Sequence, residues 1–371
     1  MTNASSPFQK LLLSSVLSPR RMSNIRRLIQ DMPWIQTPII ANAPMSGVAT
    51  SELAASVTRA GGLGQIGFID DMRILDRQLE RTKHLLRDIK TTPKDADLLP
   101  IGVGIIAIGG SVSSFLHLLE KHKPAVIWLS FGETTEFAHW TRNIRNVSPH
   151  TKVWIQIGSV SAALQAAQAC HPDALVLQGS DAGGHGHALG SSVITLVPEV
   201  ADALHDNDIN EIPLIAAGGI MDGRSTAAAM MLGASGVVMG TRFLGAEEAN
   251  LPSDYRQEVL LAFDGGESTV RSRVFDEMWG PNPWPEVYDG RCLRNACYED
   301  LQKGLSGHDI RARLYLNLYK AQTEHIPFKD TSSLWAGAGV GMLKRIEKAR
   351  GIVEEVRSVA KQKLEHASVY I

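Results

Sequence analysis

A glycine-rich stretch around one histidine holds the residues best suited to chemistry: Gln178-Gly179-Ser180-Asp181-Ala182-Gly183-Gly184-His185-Gly186-His187. Glycine permits positive φ and lets backbone N–H groups approach a ligand closely. Imidazole titrates near neutral pH and can remove a proton from a carbon acid. We therefore predict that His185 is a general base, with His187 as the alternative. Asp181 could orient a ring nitrogen or cap the next helix, and the structural role is favoured.

Two further glycine turns follow apolar runs later in the chain, Ala217-Gly218-Gly219-Ile220 and Met239-Gly240-Thr241-Arg242. A phosphate is bound by several converging N–H donors that no Cβ atom obstructs. The predicted donors are Gly218, Gly219, Gly240 and the hydroxyl-bearing Thr241, with Gly183 and Gly184 completing the cradle. Three such turns favour a phosphorylated ligand, with ordinary turns as the alternative.

The same region offers surfaces for a flat ring. Ala43-Pro44-Met45 follows the first apolar run, and its thioether suits one face of a ring, although a core methionine is the simpler interpretation. Gln156 and Gln178 end two other runs, where their amides could bond the polar edge of a flavin or nicotinamide, or simply be solvated. No G-x-G-x-x-G opens a helix after the first run, so a Rossmann site is not supported.

These residues lie at the ends of short apolar strands, each followed by an amphipathic helix. From Pro38 onward the sequence predicts eight strands, at 38–42, 63–68, 99–106, 124–130, 152–157, 173–177, 213–217 and 236–239. Eight strand–helix units with both sheet faces covered predict an α/β fold, a closed (β/α)₈ TIM barrel. An open doubly wound sheet is the alternative. In a barrel the loops after the strands meet at one rim, which would gather the candidate residues.

The predicted domain organisation has four parts. Residues 1–37 form a leader, 38–245 the cofactor-binding barrel, 246–333 a mostly helical region that covers the barrel mouth, and 334–371 a return segment with a C-terminal helix over 342–366. We expect no clear strands between 246 and 325. The leader is rich in arginine and has no acidic residue before Asp31, which is typical of a mitochondrial transit peptide or of a surface leader. A cytoplasmic location is expected, with the mitochondrion as the alternative.

Composition excludes several classes of protein. The 371 residues carry a formal net charge of −2 and are 44% hydrophobic, so neither a nucleic-acid partner nor a membrane partner is expected. No apolar run reaches the ~18 residues that span a bilayer. Three cysteines make no disulfide framework, and the spacing of Cys292 and Cys297 does not predict a zinc site, so no metal is expected. The expected partner is a small molecule, and a homodimer is a further expectation.

With these residues in place, the chain resembles the nitronate monooxygenase family, formerly called 2-nitropropane dioxygenases. The resemblance spans 38–246 and rests on the segments 43–45, 178–186, 216–220 and 239–243. It implies an FMN enzyme that uses O₂ to convert alkyl nitronates to carbonyl compounds and nitrite. It also implies that His185 is the base and that the FMN contacts are Met45, Gln178, Gly183, Gly218, Gly219, Met239, Gly240 and Thr241.

Two positions depart from the family pattern. Asp181 stands where members often have Glu, and Gly104 stands where many have an Asn that contacts the flavin at the end of strand three. The sequence therefore leaves other functions open: an NAD(P)H-dependent enoyl-acyl-carrier-protein reductase of the FMN type, a biosynthetic tailoring oxidase, or a barrel that binds a phosphorylated metabolite without redox chemistry. The physiological substrate and the use of NAD(P)H are not determined by these residues.

Overall fold

Parallel strands form a barrel in the computed structural model, which describes residues 19–91 and 98–370. Within these residues the barrel strands are β1 (Ile39–Asn42), β2 (Gln65–Ile66), β3 (Leu99–Ile106), β4 (Pro124–Ser130), β5 (Lys152–Ile157), β6 (Ala174–Gln178), β8 (Leu214–Ala217) and β9 (Gly236–Met239), while β7 (Gly184–His187) lies outside the barrel. The eight strands follow the order β1-β9-β8-β6-β5-β4-β3-β2. A parallel bridge from Ala41 to Leu63 joins the two ends of this order. The predicted (β/α)₈ barrel is confirmed.

One helix, α1 (Pro19–Asp31), precedes the first strand. The helices that follow barrel strands and cover the sheet are α2 (Ser51–Arg59), α3 (Met72–Leu85), α4 (Val112–His122), α5 (Thr134–Val147), α6 (Val160–Cys170), α7 (Val193–Asp206) and α8 (Gly223–Leu232). Local chemistry sets their ends. In α8 the Asp222 carboxylate accepts from the N–H groups of Arg224 and Ser225, and Gly233 ends the helix with φ +119°.

Side chains alternate between two apolar layers along each strand. In β4, Trp128 points into the barrel interior with Trp154, whereas Ile127 and Leu129 face the surrounding helices. A strand that is buried on both faces has a nearly continuous apolar sequence. This explains why the predicted bounds of β3, β4, β5 and β9 match the observed ones.

Part of the predicted leader belongs to the packed core. Leu28 of helix α1, and Met32 and Ile35 just after it, are buried in the interior cluster together with Ile39 and Trp154. The Met32 N–H donates to the Leu28 carbonyl at 3.0 Å, so the chain keeps the helical turn that brings both side chains to the interior. Residues 1–18 of that leader lie outside the described residues.

After β9 the chain builds a region that covers the barrel mouth. Its helices are α9 (Ser253–Leu261), α10 (Gly265–Ser268), α11 (Val274–Glu277), α12 (Ala296–Gln302) and α13 (Gly307–Lys320), and its strands are β10 (Thr269–Ser272) and β11 (Tyr288–Leu293). The strands form an antiparallel sheet with β7, in the order β10-β11-β7. The expectation of no strands in this region is therefore wrong. In β11 the buried Tyr288, Gly290 and Cys292 alternate with Asp289 and Arg291, but the apolar signal is weak because the central buried position is a glycine.

The chain then returns to the barrel. The backbone N–H of Ala338 donates to the Asp181 carbonyl at 2.9 Å, and Glu347 N–H donates to Gly245 carbonyl at 2.9 Å. The C-terminal helix α14 (Ala349–Glu365) starts later than the predicted residue 342, because residues just before it are held extended along the barrel. No helix in the described ranges is long and apolar enough to cross a membrane.

Candidate active site

A cavity of about 550 Å³ opens at the carboxyl ends of the barrel strands. Because these ends meet at one rim, the cavity brings together residues that are far apart in the chain. Twelve of the thirteen predicted site residues line it: Ala43, Pro44, Met45, Gln156, Gln178, Gly183, Gly184, His185, Gly218, Gly219, Gly240 and Thr241. A wider groove of about 700 Å³ lies between α4 and α5 and contains none of the predicted residues.

Met239 is the exception, since it does not line the cavity, and its FMN contact stays a prediction. Its side chain is fully buried in the layer between strands and helices, whereas its neighbours Val238 and Gly240 line the cavity. Successive residues of a strand face opposite sides, so Met239 cannot face the same side as Gly240. Its backbone carbonyl instead accepts from Ala43 N–H at 2.9 Å and holds the first loop in place.

His185 lies on β7 and is held by a carboxylate from the covering region. Its Nε2 is 2.9 Å from Asp276 Oδ1 and 3.0 Å from Oδ2. The side chains of His185 and Asp276 are only 15% and 11% exposed. This buried carboxylate–imidazole pair has the geometry of a base with an orienting partner.

Aromatic rings surround the imidazole. Trp284 stacks on it at 4.2 Å between ring centroids with 25° between planes, and Trp335 packs at 4.6 Å with 45°. Phe131 meets the imidazole edge-on at 6.3 Å. Rings packed at these distances restrict the rotation of the imidazole.

The alternative histidine does not reach the cavity. His187 packs against Tyr288, with 5.3 Å between ring centroids, and its ring would meet a Cβ on Gly158. Burial, together with the nearby Arg271, lowers the pKa of His187. The predicted partner Asp181 has a structural role through its backbone, since its carbonyl accepts from Ala338.

The two glutamines form a chain of amides that ends on the histidine strand. Gln156 Nε2 donates to Gln178 Oε1 at 3.1 Å, and Gln178 Nε2 donates to the His185 carbonyl at 3.0 Å. The Gln178 amide is therefore used to hold β7. The side-chain oxygen of Gln156 accepts no hydrogen bond from the described part of the protein and can meet a ligand.

The glycine turns form a cradle of free N–H groups. Gly218 and Gly219 have φ of +99° and +73°. Within the described ranges, the backbone N–H groups of Gly218, Gly219 and Gly240 make no hydrogen bond to the protein. Thr241 Oγ1 accepts from Gly337 N–H at 2.9 Å, which leaves its hydroxyl hydrogen to donate. This donor set matches a phosphate group.

Gly104 lets the first loop approach the barrel. A Cβ at this position would lie 2.6 Å from Pro44 Cβ, so a larger residue would push the Pro44 loop away. On the other side of the loop, Met45 Sδ lies 3.8 Å from where a Cβ of Gly240 would stand. Glycine at position 104, where the resemblance leads one to expect asparagine, therefore lets the loop that carries Met45 pack closely against the barrel.

Charged side chains are absent from the cavity lining. None of the described lining residues is Lys, Arg, Asp or Glu. Burial raises the pKa of Tyr255 well above its usual value, so its hydroxyl stays neutral and donates to the Trp335 carbonyl at 2.9 Å. Arg291 lies behind the glycine loop and donates to the Ser180 carbonyl. The cavity thus has apolar walls with amide, hydroxyl and imidazole groups.

The sequence-based prediction missed three residues around His185: Asp276, Trp284 and Trp335. Trp284 lies in a Pro- and Trp-rich segment, and Trp335 in the return segment, so composition offered a weak signal for both. Asp276 sits among other charged residues on the short helix α11, where nothing local distinguishes it.

The fold and the cavity define a (β/α)₈ barrel protein with a largely apolar cavity at the carboxyl ends of its strands. A family model for nitronate monooxygenase matches residues 106–273. A nitronate monooxygenase of Metarhizium robertsii is 38% identical over 90% of this chain and 94% of its own length. A nitronate monooxygenase of Neurospora crassa is 34% identical over 93% of this chain and 95% of its own length. FabK from Thermotoga maritima superposes with a TM-score of 0.71 at 26% identity, covering 93% of this chain and 99% of its own.

The chain belongs to the nitronate monooxygenase family and is an oxidoreductase. The resemblance seen in the sequence is confirmed.

Proposed function

We propose that the protein is an FMN-dependent nitronate monooxygenase that oxidises alkyl nitronates with O₂ to carbonyl compounds and nitrite. The observation that carries the proposal is the placement of the His185 imidazole and the free glycine N–H groups in one apolar cavity. Membership of the family supports the reaction type.

The donor set fits FMN. The N–H groups of Gly218, Gly219 and Gly240 and the Thr241 hydroxyl would hold its phosphate, and Met45 would pack on its ring. The side-chain oxygen of Gln156 is available to the polar edge of the ring. When bound, FMN supplies the one-electron chemistry with O₂ that no amino-acid side chain provides.

The protein's own groups bind and prepare the substrate. The apolar walls accept the alkyl part and exclude water, which strengthens the polar contacts inside the cavity. A neutral nitroalkane must first lose its α-proton, and His185 is the base on the cavity wall that can take it. A nitronate that is formed beforehand has already lost this proton and does not need the base.

The direct test uses the purified protein. We expect flavin absorbance near about 450 nm, release of FMN on denaturation, and nitrite formation with O₂ consumption when a nitronate is added in air. A colourless protein that takes up no FMN and releases no nitrite would contradict the proposal and favour a non-redox barrel that binds a phosphorylated metabolite.

Replacement of the base separates the two substrates. We expect His185→Asn to lower kcat/KM for a neutral nitroalkane by about 10²–10⁴-fold, the usual contribution of general base catalysis, and to spare the nitronate far more. His187→Asn is the matched control, because His187 lies outside the cavity lining. Steady-state nitrite release with both substrates checks this, and an equal loss on both would reject proton abstraction by His185.

An NAD(P)H-dependent enoyl-acyl-carrier-protein reductase is the competing function from the sequence, because those enzymes share the Gly-Gly-His loop. Anaerobic addition of NADPH distinguishes the two. We expect the flavin of this protein to keep its colour for many turnover times, whereas rapid bleaching without a nitro compound would favour the reductase.

The compartment and the homodimer stay predictions. We propose a cytoplasmic location with the mitochondrion as the alternative, to be settled by imaging the full-length chain. Light scattering of the purified protein tests the dimer.

A further inference from the structure

We propose that Asp276 is a positioning residue that holds His185 so that Nδ1, and not Nε2, takes the substrate proton. The inference rests on the proposed function, since it names the atom that performs the base step.

The hydrogen bond defines which nitrogen is free. Both oxygens of Asp276 lie within 3.0 Å of Nε2. An ionised carboxylate only accepts, so the hydrogen must be on Nε2, and the lone pair of the neutral ring is then on Nδ1. Nδ1 makes no hydrogen bond to another group in the described residues, and His185 lines the cavity.

The surroundings hold this arrangement from several sides. Trp284 and Trp335 pack against the imidazole, so a half-turn of the ring would require both indoles to move. The helix that carries Asp276 is tied down because the Ser333 hydroxyl donates to the Phe275 carbonyl at 2.8 Å. Asp276 and His185 come from regions 91 residues apart, so their contact depends on the tertiary fold.

Other titratable groups near the pair do not compete for the proton. Cys292 is completely buried, and burial followed by the charge of Asp276 raises the pKa of its thiol well above the usual value. Burial also raises the pKa of Tyr288, which faces Phe131 and Trp284. Both groups stay neutral near pH 7, so Asp276 is the charged group in contact with the imidazole.

The proton transfer balances with this pair alone. The α-C–H bond of the nitroalkane breaks, and its electron pair forms the C=N bond of the nitronate while the negative charge moves to the nitro oxygens. The proton bonds to Nδ1, and the resulting imidazolium lies against the Asp276 carboxylate, which stabilises it. Water takes the proton before the next turnover.

Asp276→Asn is the test, with Glu277→Gln on the same helix as the matched control. The amide can turn its NH₂ toward Nε2 and select the wrong tautomer, and it cannot stabilise the imidazolium by charge. We expect kcat/KM for a neutral nitroalkane to fall by about 10–10³-fold and that for the nitronate to change by less than about threefold. Glu277 pairs with Arg273 near the surface, so Glu277→Gln should leave both values unchanged.

The difference between the two substrates is a readout that a purely structural role would not produce, because only the neutral nitroalkane needs a base. Unchanged nitroalkane turnover in Asp276→Asn would overturn the inference. An equal loss on nitroalkane and nitronate would also overturn it, since that result indicates a general structural role.

A spectroscopic measurement on the wild-type holoenzyme keeps the inference testable if Asp276→Asn fails to fold. Long-range ¹H–¹⁵N correlation, with the His185 signal assigned by its loss in His185→Asn, should show the hydrogen on Nε2. A hydrogen on Nδ1 would overturn the inference. Failure of the proposed function is distinct, because wild-type protein would then release no nitrite from a nitronate.

Discussion

At the scale of single residues, the proposed phosphate cradle depends on glycine conformation. Gly218 has φ +99°, and a Cβ there would stand 2.8 Å from the Gly179 carbonyl oxygen and 3.1 Å from Ala182. A side chain at this position is therefore disfavoured twice, by the backbone angle and by the neighbouring loop. If the Gly218 turn or the loop of Gly179 and Ala182 moves to make room for a side chain, the N–H of Gly218 changes its direction.

Gly218→Ala should lower FMN affinity by about tenfold or more and also destabilise the fold, because the cradle must shift. Gly304→Ala is the control, since Gly304 has φ +83° and no atom lies within 4 Å of the place that its Cβ would take. It should cost only about 1 kcal/mol of stability and leave FMN binding unchanged. Flavin titration with thermal unfolding measures both, and equal FMN affinity in the two variants would show that Gly218 is not a cofactor contact.

At the scale of elements, the sheet β10-β11-β7 connects the covering region to His185. Gly290 of β11 stands opposite His185 of β7 in the antiparallel register. A Cβ on Gly290 would overlap the Trp335 ring, so this glycine lets the indole pack between the sheet and the imidazole. The covering region thus supplies both the partner strand and the aromatic packing of the histidine.

Gly290→Ala should disturb this arrangement. We expect it to cost about 1–3 kcal/mol through overpacking and to lower nitroalkane turnover at least tenfold, because Trp335 or β7 must move. Gly307→Ala is the control, since a Cβ on Gly307 would meet only Arg311, at 3.6 Å. Urea unfolding and kinetics with the neutral nitroalkane test this, and unchanged kinetics in Gly290→Ala would show that the packing around His185 tolerates the shift.

At the scale of the whole molecule, the end of the chain is tied to the first strand–helix unit of the barrel. Arg357 of α14 is 5% exposed and donates to the carbonyls of Ala60 and Gly61, each at 2.8 Å. These carbonyls end α2, more than 290 positions earlier in the chain. The C-terminal helix therefore supplies hydrogen bonds to buried carbonyls at the end of α2.

Arg357→Leu should lower the free energy of unfolding by about 1–3 kcal/mol, because the Ala60 carbonyl loses its donor and the Gly61 carbonyl keeps only the N–H of Gln36. The folded protein should still oxidise a nitronate normally at low temperature, since Arg357 does not line the cavity. Arg350→Leu on the same helix is the control, because its pair with Glu354 is mostly exposed and contributes little. Equal melting temperatures for the two variants would contradict the role of Arg357.

The sequence by itself determined the barrel and most of its rim. Strands buried on both faces appear as continuous apolar runs, and the glycines that follow them gather wherever parallel strands end together. This is why Gly218, Gly240 and His185 were predicted to share one cavity. The orientation of Met239 escaped the prediction, because a strand end by itself does not tell which face of the strand a residue occupies.

Only the tertiary structure decided what holds the histidine. Asp276, Trp284 and Trp335 reach His185 because β11 pairs with β7, and this pairing joins segments separated by about a hundred residues. A contact of that kind leaves no periodic or compositional pattern in the chain, since its energy comes from burial and a hydrogen bond formed after folding. The barrel could be predicted because its sequence pattern is local and repeated, whereas the contacts around His185 are neither local nor repeated.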